Sequence, residues 1–265
     1  MSFSATARLV ALGVACEARA GRARDLPPAT RRLAVRATPA WLRSRVAEAL
    51  LRRVEAMLLP GIAAHYVARK TFVWQAAQQA VAAGATRAVI LAPGCDGVAA
   101  ALAALGIDVI EVVHPREAAA RAKLASEEPT VTRIVANLAD ADAMRRLAND
   151  PRPTLWIAEA VLMYLAPRAT LRLLRVMRAS SAPPTLVFSA MQPRVDGSPG
   201  FVDASTWVGR WLASVREPFR WALAPAALRR VLAHAGFEVA DSANEAPCPP
   251  FCAGEAVFVA HRRNR

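Results

Sequence analysis

The sequence predicts an α/β protein: a doubly wound, seven-stranded sheet with its last strand antiparallel, preceded by an N-terminal helical extension. Three observations carry that reading. Short continuous apolar runs, such as residues 88–91 (AVIL), lack the alternation of a half-buried strand and suit a strand covered on both faces of a parallel sheet. Most are followed by a turn and then a stretch of helical composition, so strands and helices alternate. The chain then finishes with two consecutive extended runs, 237–240 and 256–260.

The elements follow in order. Residues 6–19 and 41–58 carry apolar side chains at helical spacing, with Pro27, Pro28 and Pro39 punctuating the interval and Pro60-Gly61 ending the second helix. A third helix, 65–83, leads across Gly84 into the first strand. Residues 92–97 (APGCDG) make the turn, 98–105 a helix stopped by Gly106, and 108–113 the second strand. Pro115 suits a helix first turn, continued over 116–126. Residues 132–136 are the third strand, 140–149 a helix, 154–158 the fourth strand, 167–179 a helix and 185–190 the fifth strand. A long insertion with Trp207 and Trp211 precedes the helix 225–235, which Gly236 closes. The implied organisation is a helical cap over 1–64 and one α/β domain over 65–265, interrupted by an insertion at 191–224.

Composition narrows the functional classes. With 55% hydrophobic but only 6% aromatic residues, the core must be built mainly from Ala, Leu and Val. No apolar run reaches the roughly 18 residues of a membrane span, so no membrane partner is expected and the cytoplasm is the expected location. The four cysteines, Cys16, Cys95, Cys248 and Cys252, lack paired metal-ligand spacing, and no metal is expected. The net charge of +13 is concentrated at the front: residues 1–70 hold 13 Lys and Arg against 4 Asp and Glu. Those arginines recur between apolar residues, as on a solvated helix face, without the dense runs or interleaved aromatics of a nucleic-acid binder.

Ligands of such sheets bind at the carboxyl ends of the strands, here around Gly94 to Gly97 and Glu111 to His114. The turn has only two glycines and no following Lys-Ser/Thr pair, so it matches neither the dinucleotide fingerprint nor a phosphate loop. A cofactor without phosphates is favoured, and S-adenosylmethionine fits.

Several segments resemble the leucine carboxyl methyltransferase family. They are Glu111-Val112-Val113-His114-Pro115 with Lys123, the segment 155–165 (LWIAEAVLMYL), Arg216-Glu217-Pro218-Phe219, and Ala235-Gly236-Phe237. The resemblance covers about residues 65–261 and implies a Rossmann-like methyltransferase sheet binding S-adenosylmethionine. It places the cofactor on Arg69, for the methionyl carboxylate, and on Gly94, Asp96, Glu111, Asn137, Leu138 and Glu159. This chain departs from the pattern in its first turn, where Ala92, Pro93 and Gly97 replace a glycine, an alanine and a threonine. Val113 also replaces the ribose-binding aspartate, and Glu111, on the same strand face, is expected to serve instead. The implied activity is O-methylation of a carboxylate or hydroxyl of a small, acidic acceptor, with Tyr164 and His114 as candidate catalytic residues. The alternative is a catalytically degenerate relative that serves as a binding or scaffolding protein.

Overall fold

The computed structural model describes residues 3–126, 128, 131–245 and 249–263. Cys248 lies outside the described residues. Four helices come first: α1 (Ala5–Arg19), α2 (Pro28–Ala37), α3 (Arg45–Leu58) and α4 (Ile62–Ala82). The alternating part then runs β1 (Arg87–Leu91), α5 (Val98–Ala103), β2 (Asp108–Val113), α6 (Ala118–Leu124), β3 (Thr132–Val135), α7 (Ala141–Ala148), β4 (Thr154–Ala158), α8 (Pro167–Arg178) and β5 (Thr185–Met191). Helices α9 (Thr206–Ser214) and α10 (Pro225–His234) precede β6 (Phe237–Ala243) and β7 (Glu255–Arg262).

The seven strands form one sheet in the order β3-β2-β1-β4-β5-β7-β6. Strands β1 to β5 pair in parallel, and β7 runs antiparallel to both β5 and β6. Apolar runs without alternation are explained by burial on both faces. Val89, Leu91, Trp156 and Phe188 point to the side packed by α7, α8 and α10, and Ala88, Ile90, Leu155 and Val187 to the side packed by α4 and α5. The winding direction reverses between β1 and β4, which opens a crevice at their carboxyl ends.

The N-terminal segment departs from expectation in two places. Pro28 starts a helix rather than breaking one, because a first-turn position needs no amide hydrogen. The expected helix 41–58 is split: residues Ala40–Arg43 form a single 3-10 turn, and Ser44 caps α3 by accepting from the Ala47 N–H at 3.2 Å. Pro115 likewise stays in a turn, and α6 begins only at Ala118.

A further departure concerns Glu111, expected at the cofactor. Its carboxylate is fully buried and shared by Arg121, itself fully buried, and by Arg133 at 3.0 Å. Arg121 reaches on to the Gly94 carbonyl at 3.3 Å, so this group braces β2, β3, α6 and the first turn. We expect Glu111→Ala, which strands a buried guanidinium, to cost about 3–5 kcal/mol of unfolding free energy. Urea denaturation measures it, and Glu111→Leu combined with Arg121→Met should lose far less.

Candidate active site

The crevice is built on strained backbone. Ala92, directly after β1, has φ 46°, and Ala160, two residues after β4 ends, has φ 51°. Left-handed alanines are uncommon and costly, and two at adjacent strand ends mark a place where the chain is held against its preference. Ala92 is fixed by its N–H on the Val112 carbonyl at 2.9 Å, and Ala160 by its N–H on the Ser189 hydroxyl at 2.8 Å. Gly97 has a steric reason: a Cβ there would lie 2.4 Å from the Ala29 carbonyl carbon and 2.5 Å from the Thr30 nitrogen. The α2 backbone occupies the space that a threonine at 97 would fill, and Thr30 from α2 donates its hydroxyl to Asp96 at 2.8 Å.

Five charged side chains meet below this backbone. Consecutive cations on α4 face three carboxylates. Arg69 bonds Glu159 at 3.0 Å and Glu255 at 2.8 Å, while Lys70 bonds Asp96 at 2.5 Å and Glu159 at 3.0 Å. Asp96 also accepts from the N–H groups of Gly97 at 2.6 Å and Val98 at 3.1 Å, at the start of α5. His65, one turn before Arg69, completes the group: its Nδ1 accepts from the Cys252 N–H at 3.1 Å, so Nε2 donates to Glu255 at 2.8 Å. For Arg69, Lys70, Asp96 and Glu255, burial penalises the charged form but pairing outweighs it. Lys70 stays above its ordinary value because Asp96 and Glu159 overcome burial, and Glu255 is brought down to about 2 as Arg69 and His65 overcome the same penalty.

Above the group lies a cavity of about 1240 Å³. It is lined by Arg69, Gly94, Asp96, Asn137, Leu138 and Glu159 together with the candidates His114 and Tyr164, so eight of the sequence-derived residues share one space. Glu111 is absent from that lining. Asn137 uses its Oδ1 on the Ala139 N–H at 2.9 Å, and His114 uses Nδ1 on the Arg116 N–H at 3.2 Å. Burial raises the Tyr164 phenol well above its usual range, against the opposing hydrogen bond with Thr6, which makes it a donor rather than a base.

The roof comes from the N-terminal helices and the insertion. Glu217 accepts from the N–H groups of Ala5 at 2.8 Å and Thr6 at 2.9 Å and from the Thr6 hydroxyl at 2.6 Å. Glu117 accepts from the Ser4 N–H at 2.7 Å, so two carboxylates from different parts of the chain hold the start of α1. Sequence reading missed Lys70, Thr30, Glu117 and Glu255. Glu255, a lone acid opening an apolar run, gave the same signal as Glu159; Thr30 gave none, since it acts across 66 residues.

With this geometry in view, the comparisons are consistent. The family model described as leucine carboxyl methyltransferase matches residues 7–178, well over half of the chain, and the chain belongs to that family. A Mycobacterium avium protein named "Putative S-adenosyl-L-methionine-dependent methyltransferase" is 38% identical over 123 residues, covering 43% of this chain and 39% of that protein. A Frankia alni protein of the same description is 37% identical over 134 residues, covering 47% of this chain and 43% of its own length. The matches thus span about two fifths of these relatives' length. Among solved structures, an O-methyltransferase family protein from Burkholderia thailandensis superposes with a TM-score of 0.52 at 14% identity, over 94% of this chain and 68% of that one. The CcbJ methyltransferase from Streptomyces caelestis gives 0.50 at 18% identity, over 72% and 95%. At these identities they show the fold, a Rossmann-like methyltransferase sheet.

The pH dependence of stability follows from Glu255. Its carboxyl lies below the ordinary 4.5 in the folded chain, so its contribution is complete above that value and is lost as pH falls from about 4.5 towards about 2. Unfolding free energies measured across that window should fall for the native chain and fall less steeply for Glu255→Gln.

Proposed function

We propose that the chain is an S-adenosylmethionine-dependent O-methyltransferase whose acceptor is a carboxylate on a small acidic molecule. The observation that carries this reading is the charge of the buried group under the cavity. Arg69 and Lys70 against Asp96, Glu159 and Glu255 leave one net negative charge. The methionyl end of the cofactor, with its ammonium, sulfonium and carboxylate, carries one net positive charge, so the residues fit it. Arg69 and Lys70 would hold the carboxylate, Asp96 and Glu159 the ammonium, and Asn137 and Leu138 the adenine. Glu117 takes the ribose role expected of Glu111: it lines the cavity just after β2, and its second oxygen carries no hydrogen bond among the described residues.

When bound, S-adenosylmethionine supplies a sulfonium methyl open to in-line displacement by an acceptor oxygen. The chain's part is alignment and exclusion of water, the latter through α1, α3 and α9 over the cavity. A carboxylate acceptor arrives ionised and needs no base, which agrees with a Tyr164 phenol kept neutral by burial and a His114 ring tied into its own turn. Arg116, Arg216 and Arg220 line the same cavity without an ion pair among the described residues, and their field favours an anionic acceptor.

Calorimetry with S-adenosylhomocysteine tests the reading. Uptake is expected for the native chain, with Glu117→Gln weakening it roughly tenfold or more as a charge-assisted hydrogen bond is lost. Absence of uptake at millimolar ligand would sink the proposal. Val113→Asp separates the degenerate alternative. Val113 is buried and off the cavity, so the aspartate should destabilise the fold without improving affinity. Uptake that appears only in that variant would favour a binding protein that has lost its cofactor.

A further inference from the structure

Helix α3 is peculiar in burying none of its residues. Val46 is 81% exposed, Leu50 61% and Met57 77%, and Trp41, just ahead of the helix, is 73% exposed. Positions 46, 50 and 57 fall on one stripe of the helix, an apolar face into which Arg53 projects between Leu50 and Met57 and which Val54, 42% exposed, flanks. The opposite side of α3 is turned to the protein: Leu51, Glu55 and Leu58 line the cavity.

Charge is sorted along the same division. Both acids of the helix are used inward, Glu48 on Arg19 at 2.7 Å and Arg52 at 3.0 Å, and Glu55 on the Ala63 N–H at 3.1 Å. Arg45 and Arg53 are exposed and have no ion pair among the described residues. The apolar stripe therefore carries the cation of Arg53 within it and that of Arg45 to one side, and no carboxylate of its own helix. We propose that this face of α3, with Trp41, docks on an anionic lipid bilayer.

Three features select that occupant. Anionic headgroups neutralise Arg45 and Arg53 while the acyl boundary receives Val46, Leu50 and Met57, the division of an in-plane amphipathic helix with a tryptophan at the interface. A two-fold contact between copies of the chain would set these arginines close to like charges. A nucleic-acid backbone would satisfy the arginines but offers nothing to the apolar stripe.

The second lip of the cavity also carries an exposed aromatic side chain. The Ser205 N–H donates to the Leu58 carbonyl at 2.8 Å, joining the end of α3 to the start of α9. Helix α9 adds Trp207, 63% exposed, with the Arg210 guanidinium 5.3 Å from its ring centre. The expectation of no membrane partner rested on spanning segments, and no helix among the described residues is long and apolar enough to cross a membrane; a helix lying in the headgroup plane has no such requirement.

Vesicle co-sedimentation of the full chain tests the proposal without reference to catalysis. Phosphatidylglycerol-phosphatidylcholine vesicles should retain the protein at least tenfold better than pure phosphatidylcholine. The triple variant Val46→Ser, Leu50→Ser, Met57→Ser keeps every charge and should lose roughly tenfold or more, as should Arg45→Glu with Arg53→Glu. All five side chains are exposed, and unchanged thermal midpoints verify that both variants fold. As a single-site control, anionic vesicles should shift the tryptophan emission of the native chain to the blue, and Trp41→Ser should reduce that shift. Failure to bind anionic vesicles overturns the proposal. So does undiminished binding of the serine variant, which would reduce the effect to bulk charge, or a stable dimer of the native chain that the serine variant abolishes.

Discussion

The structure turns on the pairing of Arg69 and Lys70 with Asp96, Glu159 and Glu255. Each carboxylate sits at an end of a different strand or turn: after β1, after β4 and at the start of β7. A buried carboxylate without a partner would be costly at any of these points, so the three are affordable only together with the two cations of α4. The pairing therefore seats α4 against the strand ends and fixes the shape of the cavity floor. It also sits beside one of the strained alanines, since Ala160 directly follows Glu159, which is held by both cations.

The altered first turn is explained by the N-terminal helices. Gly97 admits the backbone of α2, and Thr30 brings to Asp96 a hydroxyl that the family pattern would supply from the next residue. The departures at Ala92 and Val113 are of another kind. Ala92 adopts a glycine-like φ at a cost in strain, and Val113 fills apolar space while Glu111 turns to Arg121 and Arg133. The carboxylate near the second strand end thus serves as an internal brace.

The central strands were legible in the sequence because burial on both faces leaves an unmistakable apolar run, as in Ala88 to Leu91 and Leu155 to Ala158, whereas β3 and β6 are partly exposed and were placed by the alternation around them. Helices α1 and α4 were legible from their spacing. The segment between residues 20 and 44 was not, because proline reads as a breaker unless its place within a turn is known, and Pro28 stands where it starts a helix. Among the residues that line the cavity, Arg69, Asp96 and Glu159 were singled out through resemblance, and Glu159 also through the isolation of a charge in an apolar run. Glu111 lies off the cavity lining for a physical reason: strand periodicity gives the face on which a side chain lies, but not whether an arginine ten residues away pairs with it. Thr30 and Glu117 act through tertiary contacts that no local pattern encodes.

The roof and the floor of the cavity are linked through one carboxylate. Glu117 lines the cavity with the loop after β2 and at the same time accepts from the Ser4 N–H at the start of α1. Glu217, from the insertion, holds the next two N–H groups of that helix. A free helix N-terminus draws carboxylates by its unpaired N–H groups and its dipole, so these two acids fix the first turn of α1, while the buried Val14 and Ala15 seat the rest of the helix against Ala34 of α2 and Tyr66 and Val67 of α4. The element that covers the cavity is thereby anchored on a residue of its wall, and the polar contacts at its start add to an apolar contact that holds its length.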